Sequence, residues 1–301
     1  MRRNEVLDRV GGALLGVAAG DALGATLEFR SAEWIAANAE GGVHKEIVGG
    51  GAFGWRPGQG TDDTDMTAAV ARAYASGYSL TAVAEGFLRW YETSPPDIGN
   101  LTRAALAHLA ANGDPTASGR AANPGGSAGN GSLMRCVPTA LARADRDSRL
   151  REAAEISLIT HDDERCVQAC QVYVELVAAL VDGADADGAL AAVDGIATNA
   201  EVFAALATDP RTDVRALRTS GYVVDSLAAA VWALRQERSF EELVVALVNR
   251  GDDADTTGAI AGGLLGARDG LGAVPARWLE RLEYRAEFNG LAERLTALRL
   301  G

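Results

Sequence analysis

The chain has 301 residues, room for one large domain or two of ordinary size, and 48% of them are apolar, as a sizeable buried core requires. It carries 28 basic and 41 acidic residues, and the formal net charge of −13 excludes proteins that bind nucleic acid through a basic surface. The three cysteines follow no zinc-binding or disulfide pattern and suit a reducing, cytoplasmic environment.

The N-terminal segment predicts an amphipathic helix over residues 4–20. Apolar residues recur at three- and four-residue steps from Val6 to Val17, which defines one buried face. Gly12, Gly16 and Gly20 lower the helix propensity of this segment but allow another backbone to approach closely. Charged residues interrupt the apolar run, so we expect neither a signal peptide nor a membrane span.

The remaining chain shows helical periodicity almost throughout, interrupted by two glycine-rich loops at 41–60 and 112–129. We predict further helices at 31–38, 62–76, 79–91, 97–111, 130–144, 148–159, 164–181, 186–198, 222–234, 240–249, 255–267 and 283–298. In the segment 130–144, Pro138 either kinks the helix or marks a helix start. Residues 43–48 are the one candidate strand. No repeat or low-complexity linker divides the chain, so we expect a single all-α domain over residues 1–301.

Two acidic segments, 61–65 and 252–256, each open a predicted helix. Either could serve only as a helix N-cap, because Asp and Thr are favoured there. An EF-hand starting at Asp253 is excluded because its twelfth position is Leu264. Taken together, the two segments supply only oxygen ligands, which suit Mg²⁺ or Mn²⁺ better than zinc. The oxygen-bearing side chains are Thr61, Asp62, Asp63, Asp253, Asp255 and Thr256.

Other polar residues stand where a helix begins or a loop ends. Asp97, after two prolines, is either an N-cap or a poised acid/base, and Asn100 either caps locally or binds a ligand. The loop 125–132 offers free backbone N–H groups as an anion cradle, or is simply a flexible turn. His161 and Tyr222 also have purely structural alternatives. His161 could be a structural hydrogen-bonding residue, and Tyr222 could be an aromatic residue of the core.

These motifs, in this order, resemble those of the ADP-ribosylglycohydrolase family from about Leu7 to Leu298. The segments that carry the resemblance are 16–24 with Glu28, 61–64, 129–135 and 251–258. Residues 96–100, 130–136 and 222–225 are most similar to the nitrogenase-regulating branch of that family. One departure concerns Asp252, which stands where the family usually has glycine. Asp252 could adopt a left-handed conformation there, or its extra charge could shift metal affinity.

The resemblance implies an all-α fold with two adjacent divalent cations, Mg²⁺ or Mn²⁺, at the base of a cleft. It implies the metal ligands Thr61, Asp62, Asp63, Asp253, Asp255 and Thr256. It further implies ADP-ribose contacts at Asn100, Gly129, Asn130, Gly131, Met134, His161 and Tyr222. Asp97 matches the family's acid/base, and Glu28 is a second carboxylate that would gate the metal site or bind a ribose hydroxyl.

The implied reaction is hydrolysis of the bond between ADP-ribose and a modified protein side chain, most often arginine. Water would attack the anomeric carbon of the distal ribose, where oxocarbenium-like charge develops. The rival interpretations are release of ADP-ribose from serine or another conjugate, and a non-catalytic ADP-ribose-binding protein. We expect a cytoplasmic monomer whose partner is an ADP-ribosylated protein, with neither nucleic acid nor membrane involved.

Overall fold

The computed structural model describes residues 2–301, and helices account for most of them, which confirms the all-α prediction. The helices are α1 (Arg3–Gly24), α2 (Ala32–Asn38), α3 (Asp62–Ala75), α4 (Leu80–Glu92), α5 (Asn100–Asn112), α6 (Ser118–Ala122), α7 (Val137–Ala142), α8 (Arg146–Leu158), α9 (Glu164–Val181), α10 (Ala186–Ala192), α11 (Ala200–Leu206), α12 (Val223–Leu234), α13 (Phe240–Val248), α14 (Ala254–Asp269), α15 (Ala276–Leu279) and α16 (Arg285–Leu300). No helix within residues 2–301 has the length and hydrophobicity that crossing a membrane requires.

The antiparallel pair of α1 and α14 forms the centre of the molecule, and glycines on both helices make the contact. A Cβ added at Gly16 would lie 2.2 Å from the carbonyl oxygen of Gly262, and one at Gly20 would lie 1.9 Å from that of Gly258. Because no side chain separates the two backbones at these points, only glycine fits there. The close approach brings the second half of α1 beside the first turn of α14, where the second acidic segment lies.

The other helices pack around this pair. Helices α12, α13 and α16 lie against it directly, and α3 and α7 contact α16. Helix α9 is buried along most of its length between α8, α12 and α14. The first turns of α3, α5 and α14, together with the residue before Tyr222 at the start of α12, line one cleft. Several helix N-termini, which carry the positive end of the helix dipole, therefore point toward this cleft.

The structure corrects several predicted elements. The predicted strand at 43–48 is wrong, because these residues are irregular. The Asn249 side chain binds the backbone of His44, and no second strand within residues 2–301 pairs with the segment. The predicted helix 130–144 begins only at Val137, and Pro138 occupies its first turn, as a helix start. The helix predicted over 186–198 ends at Ala192. Three short helices, α6, α11 and α15, were not predicted.

Candidate active site

The first acidic segment lies at the start of α3. Thr61 is its N-cap, and the Thr61 Oγ1 accepts a hydrogen bond of 3.3 Å from the backbone N–H of Asp63. The capping alternative is thus correct as local structure, but it leaves the carboxylates unexplained. Asp63 is fully buried and Asp62 faces the cleft. A helix start alone requires neither a fully buried carboxylate nor a second one turned into a cleft.

The second acidic segment is held in a tight backbone turn before α14. Gly251 and Asp252 have φ angles of 72° and 58°, so the aspartate does adopt the left-handed conformation. The Asp252 backbone pairs with the segment after Glu28: it donates to the Arg30 carbonyl and accepts from the Phe29 N–H, each at 2.8 Å. This turn sets Asp253 at the N-cap of α14 and places Asp255 in its first turn.

The fold brings the two segments together, as the sequence analysis required. The Thr256 hydroxyl donates to Asp63 Oδ2 at 3.1 Å, although these residues are far apart in the chain. One carboxylate oxygen each from Asp21, Asp63 and Asp255 lie within 4.8 Å of one another. A second such group contains Glu28, Asp97 and Asp255, so Asp255 lies between the two groups.

Several oxygens of this cluster are buried and have no hydrogen-bond partner within residues 2–301. They are Asp21 Oδ1, Asp63 Oδ1, Asp255 Oδ1 and Glu28 Oε2. Buried carboxylate oxygens normally have a hydrogen-bond partner or a cation beside them. Four buried oxygens without a partner in one place indicate a missing positive charge. The donor set holds only hard oxygens, which fits a divalent cation of the Mg²⁺ or Mn²⁺ type.

The electrostatics of the cluster agree with this interpretation. Burial, with repulsion from neighbouring carboxylates, raises the pKa of Asp62, Asp63 and Asp255 well above the usual range for aspartate. Burial raises the pKa of Asp21 to about 7, and burial together with the Asp97 charge raises that of Glu28 to about 8. Without a cation the cluster cannot hold all its negative charges at neutral pH.

Asp21 is the acidic residue that the sequence analysis missed. It follows Gly20 on the buried face of α1, and its Oδ2 accepts hydrogen bonds from the backbone N–H groups of Thr61 and Thr64, at 3.0 and 3.2 Å, and from the Thr64 hydroxyl. It therefore fixes the start of α3 while its other oxygen faces the cluster. Asp21 is the one charged residue between Val10 and Gly24, and this was the available signal, because a carboxylate is seldom buried without a partner.

Asp97 and Asn100 approach the cluster from the start of α5. The N-cap of this helix is Gly99, so the capping alternative for Asp97 is wrong. The Asp97 carboxylate instead lines the cleft beside Glu28, and burial raises its pKa to about 6. Asn100, the first residue of the helix, is exposed and lines the same cleft.

The glycine loop, residues 125–132, forms the opposite wall of the cleft, which has a volume of about 680 Å³. Gly129, Asn130, Gly131, Met134 and His161 all line it. The Asn130 amide donates to Asp253 Oδ2 at 2.6 Å, which ties the loop to the acidic segment. The loop does not run directly into a helix as expected, since turns occupy residues 131–135 before α7.

Tyr222 is the predicted ligand-binding residue that does not line the cleft. Its neighbour Gly221 does, while the Tyr222 hydroxyl donates to Glu201 Oε2 at 2.6 Å and accepts from Arg165 at 3.2 Å. The Arg165 guanidinium also lies over the Tyr222 ring at 5.6 Å. The tyrosine thus stands at the rim, next to Gly129, with its ring already partnered by a cation.

Phe29 and Phe53, which the sequence analysis did not single out, lie at the other end of the cleft. Phe29 is 67% exposed and has a φ angle of 62°, unusual for a bulky residue. Its ring contacts that of Phe53 at 6.2 Å between centroids. The only sequence signal for Phe29 was its position directly after Glu28.

Comparison with known proteins identifies the family. The family model for ADP-ribosylglycohydrolase matches residues 2–301. ADP-ribosylarginine hydrolase Tri1 of Pseudomonas putida (strain GB-1) is 33% identical over 97% of this chain and 78% of its own length. ADP-ribosyl-dinitrogen reductase glycohydrolase of Rhodospirillum rubrum is 33% identical over 94% of this chain and 92% of its own.

A solved structure described as an ADP-ribosylglycohydrolase-related protein complex has the same fold. Its TM-score is 0.84 at 35% identity, and the match covers 98% of this chain and 99% of that one. The shared fold, the family match over residues 2–301 and the acidic cleft agree with one another. This chain therefore belongs to the ADP-ribosylglycohydrolase family.

Proposed function

We propose that this protein is a metal-dependent hydrolase that removes ADP-ribose from modified arginine side chains of proteins. The observation that carries the proposal is the meeting of Asp21, Asp63 and Asp255 with Glu28 and Asp97 at the base of one cleft. The name of the Pseudomonas relative, an ADP-ribosylarginine hydrolase, supports arginine as the modified residue. The cleft volume of about 680 Å³ suits a ligand of the size of ADP-ribose.

The carboxylates around Asp255 would hold the cations, and we propose two ions, Mg²⁺ or Mn²⁺. Asp21, Asp63, Asp255 and Thr256 would bind on one side, with Thr61, Asp62 and Asp253 completing the set. Bound cations of this kind orient ribose hydroxyls and water and lower the pKa of the water. The remaining chemistry belongs to the chain's own side chains.

Asp97 is the group that would move the proton. Water attack at the anomeric carbon forms a C–O bond and breaks the bond to the guanidine nitrogen. The Asp97 carboxylate would take the proton that the water loses and return it to the departing guanidine nitrogen, which leaves free arginine and ADP-ribose. Glu28, whose oxygen lies within 4.8 Å of that of Asp97, would bind a ribose hydroxyl and hold the sugar in place.

The glycine loop would hold the rest of the ligand. Asn100, Gly129, Asn130, Gly131, Met134 and His161 would contact ADP-ribose, with Tyr222 at the rim. The loop and the helix starts offer N–H groups and positive dipole ends to the diphosphate. This explains how a chain with a formal net charge of −13 can bind an anionic ligand.

The proposal is tested with two substrates, one protein ADP-ribosylated on arginine and one on serine. Released ADP-ribose is quantified by chromatography with Mg²⁺, with Mn²⁺ and with a chelator. We expect release from the arginine substrate only, and only with a cation. Release from serine alone would replace the substrate assignment. No release from either substrate by a protein that binds Mg²⁺ normally would refute the enzyme proposal in favour of a binding protein.

A further inference from the structure

A fully buried guanidinium lies directly behind the glycine loop, and no carboxylate within residues 2–301 forms an ion pair with it. This is Arg135, which is 0% exposed and lies over the Phe87 ring at 4.5 Å. Burial lowers its pKa only to about 10, so the group stays charged at neutral pH. An unpaired buried cation is costly and is retained where an anion or a polar network uses it.

The guanidinium binds the glycine loop on one side and a hydroxyl on the other. Its Nη1 donates to the Gly131 carbonyl at 2.7 Å, and its Nη2 donates to Thr160 Oγ1 at 2.6 Å. The Thr160 hydroxyl lies 2.6 Å from His161 Nδ1. A continuous chain of short hydrogen bonds therefore runs from Arg135 through Thr160 to the histidine ring.

The donor and acceptor of each of these hydrogen bonds follow from which groups can donate. A guanidinium has no acceptor, so Thr160 must accept from Arg135. The one hydroxyl hydrogen of Thr160 then points to His161 Nδ1, because no other acceptor within residues 2–301 bonds to this fully buried hydroxyl. Since Nδ1 accepts, the ring proton of a neutral His161 resides on Nε2. Burial and the Arg135 charge lower the pKa of His161 to about 3, which agrees with a neutral ring.

The Nε2 edge of His161 faces the cleft beneath the two loop glycines. A Cβ at Gly131 would lie 3.1 Å from Nε2, and one at Gly129 would lie 3.3 Å away. Nε2 forms no hydrogen bond within residues 2–301. It is also not one of the polar atoms that are buried from solvent without a hydrogen-bond partner. It is thus a free donor in the cleft that His161 lines.

The geometry points to Arg135 and Thr160 as positioning residues that fix His161 as a neutral Nε2–H donor to a diphosphate oxygen of ADP-ribose. The buried positive charge polarises this series of hydrogen bonds, so that each one strengthens the next. The last of them is the bond from Nε2–H to the diphosphate oxygen. The charge acts on the ligand without entering the cleft. The identity of the ligand in this inference rests on the proposed function; the tautomer does not.

The test combines ¹⁵N-histidine NMR with ADP-ribose titration by calorimetry in saturating Mg²⁺. His161→Gln assigns the His161 signals, since the chain has only three histidines. We expect wild-type Nδ1 to show the shift of an unprotonated nitrogen and Nε2 that of a protonated one. ADP-ribose should then shift the Nε2–H signal, because that proton gains an acceptor.

Two substitutions at Thr160 separate the hydroxyl from its packing. Thr160→Ser keeps the hydroxyl and should retain both the tautomer and the ADP-ribose affinity. Thr160→Val keeps the shape but loses the hydroxyl. It should give mixed tautomers and weaken ADP-ribose binding on the order of 10-fold, with thermal unfolding measured alongside as a control for folding.

A wild-type spectrum that shows the proton on Nδ1 would overturn the inference, and this result does not depend on whether any variant folds. ADP-ribose binding by folded Thr160→Val at wild-type strength would overturn it as well. The proposed function fails separately: wild-type protein that binds ADP-ribose but hydrolyses no conjugate would refute the enzyme while the tautomer and affinity results still stand.

Discussion

Replacing Gly20 by alanine should damage both the stability of the protein and its metal site. The new Cβ would lie 1.9 Å from the Gly258 carbonyl oxygen, where ordinary contact begins near 3.4 Å. The clash is between a Cβ and backbone, so no side-chain rotation relieves it, and α1 and α14 must separate by roughly 1.5 Å. We expect Gly20→Ala to lower the free energy of unfolding by about 3 kcal/mol or more.

Gly11→Ala is the matched control on the same helix. A Cβ there would meet its nearest neighbour, a methyl carbon of Leu271, at 3.6 Å, which is ordinary contact. Because alanine is the better helix former, this variant should gain about 0.5–1 kcal/mol or remain unchanged. Urea unfolding followed by circular dichroism measures both variants.

The metal site adds a second readout to the same comparison. Asp21 follows Gly20 directly, and Asp255 lies one turn before Gly258, so separating the helices moves carboxylates that now lie within 4.8 Å of one another. Mg²⁺ affinity, measured by calorimetry, should fall for Gly20→Ala and stay unchanged for Gly11→Ala. Equal unfolding free energies for the two variants would refute the reasoning about the helix contact.

Three further predictions follow from the carboxylates. Asp97→Asn should keep ADP-ribose affinity, measured by calorimetry, but lower kcat by about 10²–10⁴-fold because the proton acceptor is gone; full activity would remove Asp97 from the mechanism. Asp21→Asn should raise the melting temperature of the metal-free protein, since it deletes a repelling charge but keeps an acceptor for Thr61 and Thr64. The same variant should weaken Mg²⁺ binding on the order of 10–100-fold, and an unchanged affinity would exclude Asp21 from the site. Finally, the pKa values of about 7 for Asp21 and about 8 for Glu28 are raised above their unfolded values, so the folded metal-free protein binds protons more tightly than the unfolded chain. Its melting temperature in chelator should therefore fall as pH rises from 4 to above 8, and saturating Mg²⁺ should remove that fall; a melting temperature that rises over this range would contradict the sign.

The family and its helical fold were predictable because they depend on local patterns. Three- and four-residue periodicity predicted the first helix, although the structure buries α1 on every face from Val10 to Gly24 and not on one face only, and the acidic motifs occur in a recognisable order. The glycines of α1 indicated a close helix contact, and the structure shows that α14 supplies the partner glycines. The predicted domain limits of 1–301 stay a prediction.

What the sequence could not predict depends on long-range packing. Asp21 lies just beyond the predicted helix 4–20, and only the antiparallel pairing of α1 with α14 places it beside Asp63 and Asp255. The strand predicted at 43–48 is wrong because a lone β-rich segment needs a partner strand, and residues 2–301 provide none there. The role of His161 depends on the Arg135 guanidinium behind it, a contact that no local motif encodes.

The most direct measurement of the central claim is mass spectrometry of an arginine-ADP-ribosylated peptide after incubation with the protein and Mg²⁺. Attack at the anomeric carbon predicts free ADP-ribose together with a peptide whose arginine is restored intact. The same sample in chelator should remain modified. An unchanged peptide in the presence of Mg²⁺, or one converted to ornithine by attack at the guanidine carbon, would contradict the account.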